Sequence, residues 1–80
     1  MHSAKTVSAI GFRMNIIFNG ETKEIKEGAF VSDLINEMSS LLPKMFVIEL
    51  NEQVIYKENY DITRLSEGDK LEVVVFADGN

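Results

Sequence analysis

Residues 14–42 read MNIIFNGETKEIKEGAFVSDLINEMSSLL, and within them the spacing of apolar residues changes once. The run MNIIF at 14–18 is β-branched and aromatic, the composition of a strand. Asn19-Gly20 follows. Both residues accept the positive φ of a type I′ turn, so this pair predicts a hairpin. TKEIK at 22–26 is the return strand. Its alternation sets Thr22, Glu24 and Lys26 on one face, Lys23 and Ile25 on the other. One face is therefore wet, and Glu27-Gly28 ends the hairpin. From Val31 the period lengthens. Val31, Leu34, Ile35, Met38, Leu41 and Leu42 recur at helical spacing, with polar residues between them. Ala29-Phe30 offers no side-chain acceptor as a helix cap. Ser39-Ser40 and then Pro43 close the helix, because proline cannot continue it and restricts the residue before it.

Downstream, MFVIEL at 45–50 returns to strand, Asn51-Glu52 makes a turn, and Val54-Ile55-Tyr56 forms a short strand. Residues 57–67 are polar, with apolar anchors at Tyr60, Ile62 and Leu65, and predict a loop with a short helical turn. Tyr56 and Tyr60 are expected half-buried. Glu67-Gly68-Asp69 is a turn cluster. KLEVVVF at 70–76 is the most β-prone stretch of the chain. ADGN at 77–80 is expected to be a flexible tail. Residues 1–13 lack a sustained period and predict a flexible extension, with Met14 opening the folded unit. They contain neither the apolar run nor the cleavage pattern of a secretory signal.

The order is strand, strand, helix, strand, short strand, strand. It predicts an α+β domain over 14–76 of β-grasp, ubiquitin-like type. A mixed sheet of four to five strands packs on one helix. The first and last strands lie side by side in parallel through a right-handed crossover.

Composition narrows the function. The chain has 80 residues, 45% of them hydrophobic and 26% charged, which is globular and not disordered composition. It can hold one modest core and little internal active site. There is no cysteine, so no disulfide, thiol nucleophile or redox pair can form. The single histidine, His2, excludes a His-rich metal site. The net charge of −5 argues against a phosphate-backbone binder, whose affinity comes from clustered Lys and Arg. No apolar run approaches the ~20 residues of a membrane span. The thirteen carboxylates form no acid/base or metal constellation with a second diagnostic group. They read as a solvated acidic surface able to steer docking to a basic partner. No catalytic residue and no metal site is predicted.

Strand parity identifies the sheet face away from the helix. In the last strand Glu72 marks the outer face, with Val74 and Phe76, while Leu71, Val73 and Val75 face the helix. In the third strand Glu49 does so, placing Met45 and Val47 outside and Phe46, Ile48 and Leu50 inside. In the first strand Asn15 and Ile17 are outside, Ile16 and Phe18 inside. The outer face then carries Ile17, Met45, Val47, Val74 and Phe76. A contiguous apolar patch there is a candidate partner-binding surface. The alternative is the scattered apolar exposure that every small protein shows.

These stretches resemble the ThiS/MoaD family of small sulfur carriers. The resemblance rests on MNIIFNGE at 14–21, VSDLINEM at 31–38 and, above all, LNEQVIYKENYDITRLSEGDKLEVVVF at 50–76. The direct run from Val75-Phe76 into Ala77, without a Pro-Pro, is similar to the ThiS branch. The resemblance implies a carrier and not an enzyme. Its C-terminus would be adenylated by a ThiF-like adenylating enzyme using ATP, then thiocarboxylated, and its sulfur passed to a ThiG-like thiazole synthase for thiamine. It implies no bound cofactor, a cytoplasmic location, a monomer and no nucleic-acid or membrane partner. The carrier tail would be Asp78, Gly79 and Asn80. The family ends in Gly-Gly, whereas this chain reads Asp78-Gly79-Asn80. Asn80 is trimmed to leave Gly79 as terminus, or the tail is altered or incomplete, or the partner accepts asparagine, or the chain is a divergent β-grasp interaction module without a sulfur cycle.

Overall fold

The Asn19-Gly20 turn does what its composition requires. Both residues have positive φ, 49° and 86°. The turn joins β1 (Arg13–Phe18) to β2 (Glu21–Lys26) in an antiparallel register that sets Phe18 opposite Glu21 and Arg13 opposite Lys26. The computed structural model describes residues 12–76. The extension expected over 1–13 and the tail expected over 77–80 otherwise lie outside those residues. The sheet starts earlier than Met14: Arg13 belongs to β1, and the Phe12 carbonyl accepts the Glu27 amide at 2.8 Å.

Helix α1 spans Val31–Glu37, followed by a 3-10 turn over Ser39–Leu41. The helix is therefore shorter than its apolar stripe. Met38 leaves helical geometry (φ −104°, ψ 12°), the serines favour turn over helix, and Leu41 ends 75% exposed. The missing N-cap side chain is replaced in two ways. The Asp33 carboxylate reaches back to accept the Phe30 amide at 2.8 Å, half of a capping box. The distant loop supplies the rest: the Val31 amide donates to the Thr63 carbonyl (2.8 Å) and the Ser32 amide to the Tyr60 carbonyl (2.9 Å). The same loop is strapped down by the Leu65 amide on the Ala29 carbonyl (2.8 Å) and the Arg64 guanidinium 4.7 Å over the Phe30 ring.

The chain continues through β3 (Phe46–Leu50), β4 (Gln53–Ile55), a 3-10 turn over Lys57–Asn59, and β5 (Lys70–Val75). The five strands lie in the order β2-β1-β5-β3-β4, with β5 parallel to β1 and antiparallel to β3. A mixed sheet over one helix, with the last strand in its centre, is the β-grasp fold. Met14, Ile16, Ile25, Val31, Leu34, Ile48, Leu65 and Leu71 form the buried core. Phe18, Phe46, Leu50 and Val73 pack against it, as parity predicts.

Four expected positions differ. Val75 is 58% exposed, because β5 outruns β1 and no other strand among the described residues covers that side of its end. Tyr56 is 63% exposed and Ile62 70%, because the loop between them is held by its backbone and Leu65. Tyr60 alone of the two tyrosines packs against the core. Met45 precedes β3 and is not part of it.

Two outcomes follow for stability. Ile48→Ala, at a fully buried site, is expected to cost about 2–5 kcal/mol in urea unfolding. Val75→Ala is expected to stay within about 0.5 kcal/mol. Burial pushes the Tyr60 hydroxyl above its ordinary 10.0. The unfolded chain loses that proton first, so stability present below pH 10 is lost as pH rises through the raised folded value. Tyr60→Phe lacks this loss. Above pH 10 the wild type should weaken relative to the variant, as read by alkaline denaturation.

Candidate functional site

The outer sheet face divides into an apolar and a charged half, and the register explains the division. Val47 lies directly opposite Val74, and continuing the same register sets Met45 opposite Phe76. Met45 and Phe76 are 53% and 46% exposed. These four form one apolar strip at the end of β5 from which the C-terminus leaves. Ile17 does not join them. It is in register with Lys70, four residues and about 13 Å along the strand from Val74. Parity correctly puts Ile17 on the outer face, but it cannot give the stagger between β1 and β5.

The charged half begins one step along. Glu49 is directly opposite Glu72, and these two with Glu52 and Lys70 line a shallow depression of about 80 Å³. Two carboxylates facing each other across a strand pair repel. The face thus offers an apolar strip bordered by negative charge. Among the described residues, no group of three or more His, Asp or Glu is placed to hold a metal ion. Residues 78–80, the expected carrier tail, lie outside the described residues.

How the base of the tail is held was not foreseen. Two turn asparagines, both at positive φ, grip β5 from opposite sides (Asn19 at 49°, Asn51 at 52°). The Asn51 amide donates to the Lys70 carbonyl at 2.7 Å, and its side-chain oxygen accepts the Lys70 amide at 2.9 Å. The Asn51 side-chain NH2 also donates to Asp69 at 3.1 Å, whose other oxygen accepts the Ser66 amide at 2.8 Å. On the β1 side, the Asn19 amide donates to the Leu71 carbonyl at 3.0 Å. Its Oδ1 accepts the Val73 amide at 2.8 Å. The turn before β5 is fixed as well: the Gly68 amide donates to the Asn15 carbonyl and the Asn15 amide to the Glu67 carboxylate. In the sequence, Asn19 and Asn51 announce turns. Only the tertiary position of β5 gives their side chains a further partner.

Comparison with known proteins agrees with this architecture. The family model described as "ThiS family" matches residues 16–79. A crystal structure of the thiamine biosynthesis protein ThiS from Geobacter metallireducens aligns with a TM-score of 0.73 and 28% identity. It covers 84% of this chain and 100% of that one. A solution structure of a thiamine biosynthesis protein from the same organism aligns with a TM-score of 0.64 and 27% identity, covering 84% and 88%. No curated protein matches. Fold and family match together define a β-grasp protein of the class of small sulfur carriers. The chain belongs to the ThiS family.

The facing glutamates give a direct test of the charged half. Glu49→Lys places opposite charges across the pair and is expected to raise stability by about 0.5 kcal/mol. The gain should shrink as salt is added. Urea midpoints at low and high salt check both statements.

Proposed function

We propose that this chain is a sulfur carrier for thiamine thiazole synthesis. A ThiF-like enzyme adenylates its C-terminal carboxyl with ATP and releases pyrophosphate, sulfide-level sulfur from a donor displaces AMP to give the thiocarboxylate, and a ThiG-like thiazole synthase takes the sulfur. The observation that carries the reading is the family match, which runs from β1 through the whole fold and into the tail at residue 79. The apolar strip of Met45, Val47, Val74 and Phe76 supports it as the docking surface, because it ends where the tail begins. Glu49 and Glu72 would steer that surface towards a basic partner. The chain supplies a carboxyl group and a handle, and the partners supply the catalysis. The reading places the protein in the cytoplasm as a monomer with no bound cofactor. No helix among the described residues is long and apolar enough to cross a membrane.

The tail bears on how the cycle would run. A narrow channel admits bare glycine backbone most easily, because glycine has no Cβ and reaches positive φ freely. Gly79 meets that requirement and Asn80 does not, so a chain ending at Gly79 is the form expected to enter such a channel. A second reading is favoured by the same Asp78-Gly79-Asn80 sequence. It is a β-grasp interaction module that uses the outer face without a covalent cycle.

Intact mass spectrometry separates the two. The chain ending at Asn80 and a chain ending at Gly79 are each incubated with a ThiF-like enzyme, ATP and a sulfur donor. The expected result is replacement of one oxygen by sulfur on the Gly79 form. No such product on either form would overturn the carrier reading. A double variant, Val74→Asp with Phe76→Asp, is expected to keep its fold by circular dichroism and lose capture by the adenylating enzyme. Capture without sulfur transfer by the wild type would favour the module.

A further inference from the structure

We propose that Asn19 is a positioning residue for the carrier tail, acting through β5. The inference rests on the carrier reading above and adds a residue to it. β5 is longer than the part of β1 that pairs with it. The parallel register sets Ile17 beside Lys70 and Phe18 beside Leu71, and β1 stops there. The next β5 amide that points to the β1 side is that of Val73, where no β1 residue remains to receive it. The Asn19 side-chain oxygen takes that place at 2.8 Å, while the Asn19 backbone amide holds the Leu71 carbonyl. One turn residue thus extends the ladder by a step that the strand itself does not make.

The location gives this bond its consequence. Val73 is three residues before Phe76, the last described residue and the root of the tail. Beyond Val73, Val75 is 58% exposed, and among the described residues no strand pairs with that edge of β5. Among the described residues the Asn19 bond is therefore the last one on the β1 side that fixes the direction in which β5 leaves the sheet. Its β3 side is fixed by pairing out to Val75 opposite Phe46. Without Asn19 the end of β5 is held along one edge and can swing about it. Val47 and Val74, the centre of the docking strip, stay in place, because they belong to the β3 pair. The tail then meets the adenylating site in more orientations, which lowers turnover and leaves docking unchanged. Asn51 plays no equivalent part. It grips the start of β5 and is wired through Asp69 into the preceding turn, so its loss disturbs the fold.

Asn19→Gly isolates the side chain. Glycine accepts the positive φ of 49° at this position, so the hairpin is kept and only the acceptor is lost. Asn19→Asp restores a carboxylate oxygen in the same place and tolerates the left-handed conformation. The full chain is used, and a chain ending at Gly79 alongside it, with a ThiF-like enzyme and ATP. The expected result for Asn19→Gly is amide exchange at Val73 faster by roughly tenfold, the loss of one hydrogen bond. The rate of adenylation at saturating carrier should fall several-fold, with KM for the carrier unchanged. Asn19→Asp should restore both. Unchanged exchange at Val73, or faster exchange with an unchanged rate, would overturn the positioning role. So would a rise in KM with the rate intact, which would place Asn19 in docking. If the wild-type chains are not adenylated at all, the carrier reading itself falls, which the exchange data alone cannot mimic.

Discussion

The structure depends on the placement of β5, which is last among the strands in sequence and central in the sheet. Its Leu71 is fully buried, and its neighbours on either side come from opposite halves of the domain. Neither half has a complete sheet without it. The β1–β2 hairpin presents one open edge and the β3–β4 hairpin another, and β5 closes both with a parallel and an antiparallel ladder. Such closure is non-local and costs loop entropy before any contact is gained. The polar devices of this small domain gather where that closure has to be secured. Asn51 and Asp69 fix the first residue of β5, Glu67 and Gly68 tie the preceding turn to Asn15, and Asn19 reaches Val73. The apolar core then needs to be only eight residues deep, because hydrogen bonds set the register that brings those residues together.

A central last strand also decides where the C-terminus departs. It leaves from the middle of the sheet, beside the apolar strip of Val47 and Val74, and not from a frayed edge. One ladder thus sets both the proposed docking surface and the root of the tail. The facing pair Glu49 and Glu72 belongs to the same ladder, two residues from that strip. Like charges in that position weaken the sheet slightly. In the proposed cycle the same charges have a use at the encounter, since an apolar strip alone carries little long-range orientation. The outer face is divided between an apolar part and a charged part, which in that cycle would adhere and steer respectively.

Local chemistry made much of this legible in the sequence. Asn19-Gly20 required a hairpin, the shift in period at Val31 required a helix, and alternation in β3 and β5 sorted the two faces with Glu49 and Glu72 as markers. What alternation cannot supply is stagger. Ile17 is on the predicted face yet beside Lys70, and Val75 is on the helix-side parity yet uncovered, because β5 slides past the end of β1. The helix end was obscured for a different reason. Leu41 and Leu42 continue the stripe, but Met38, the two serines and Pro43 break the backbone before the stripe is used. The helix start was obscured because its cap is tertiary. No residue next to Val31 announces that the carbonyls of Tyr60 and Thr63, about thirty residues on, will receive its first amides.

The proposed cycle needs no cysteine, because it would carry sulfur on a backbone carboxyl and not on a side chain. In the proposed cycle the reactive atom belongs to the backbone, at a carboxyl that every chain has and that becomes electrophilic only on activation. A terminus can enter a narrow site only if it is thin, and a thin segment has few contacts with which to orient itself. Orientation must then come from its root. That places a demand on the last fixed residues of β5 that does not fall on other strand ends in the domain. It gives a physical reason for a side-chain hydrogen bond to Val73 at a point where backbone pairing has already run out. In the proposed cycle that orientation is supplied from the nearest turn, through the bond from Val73 to Asn19.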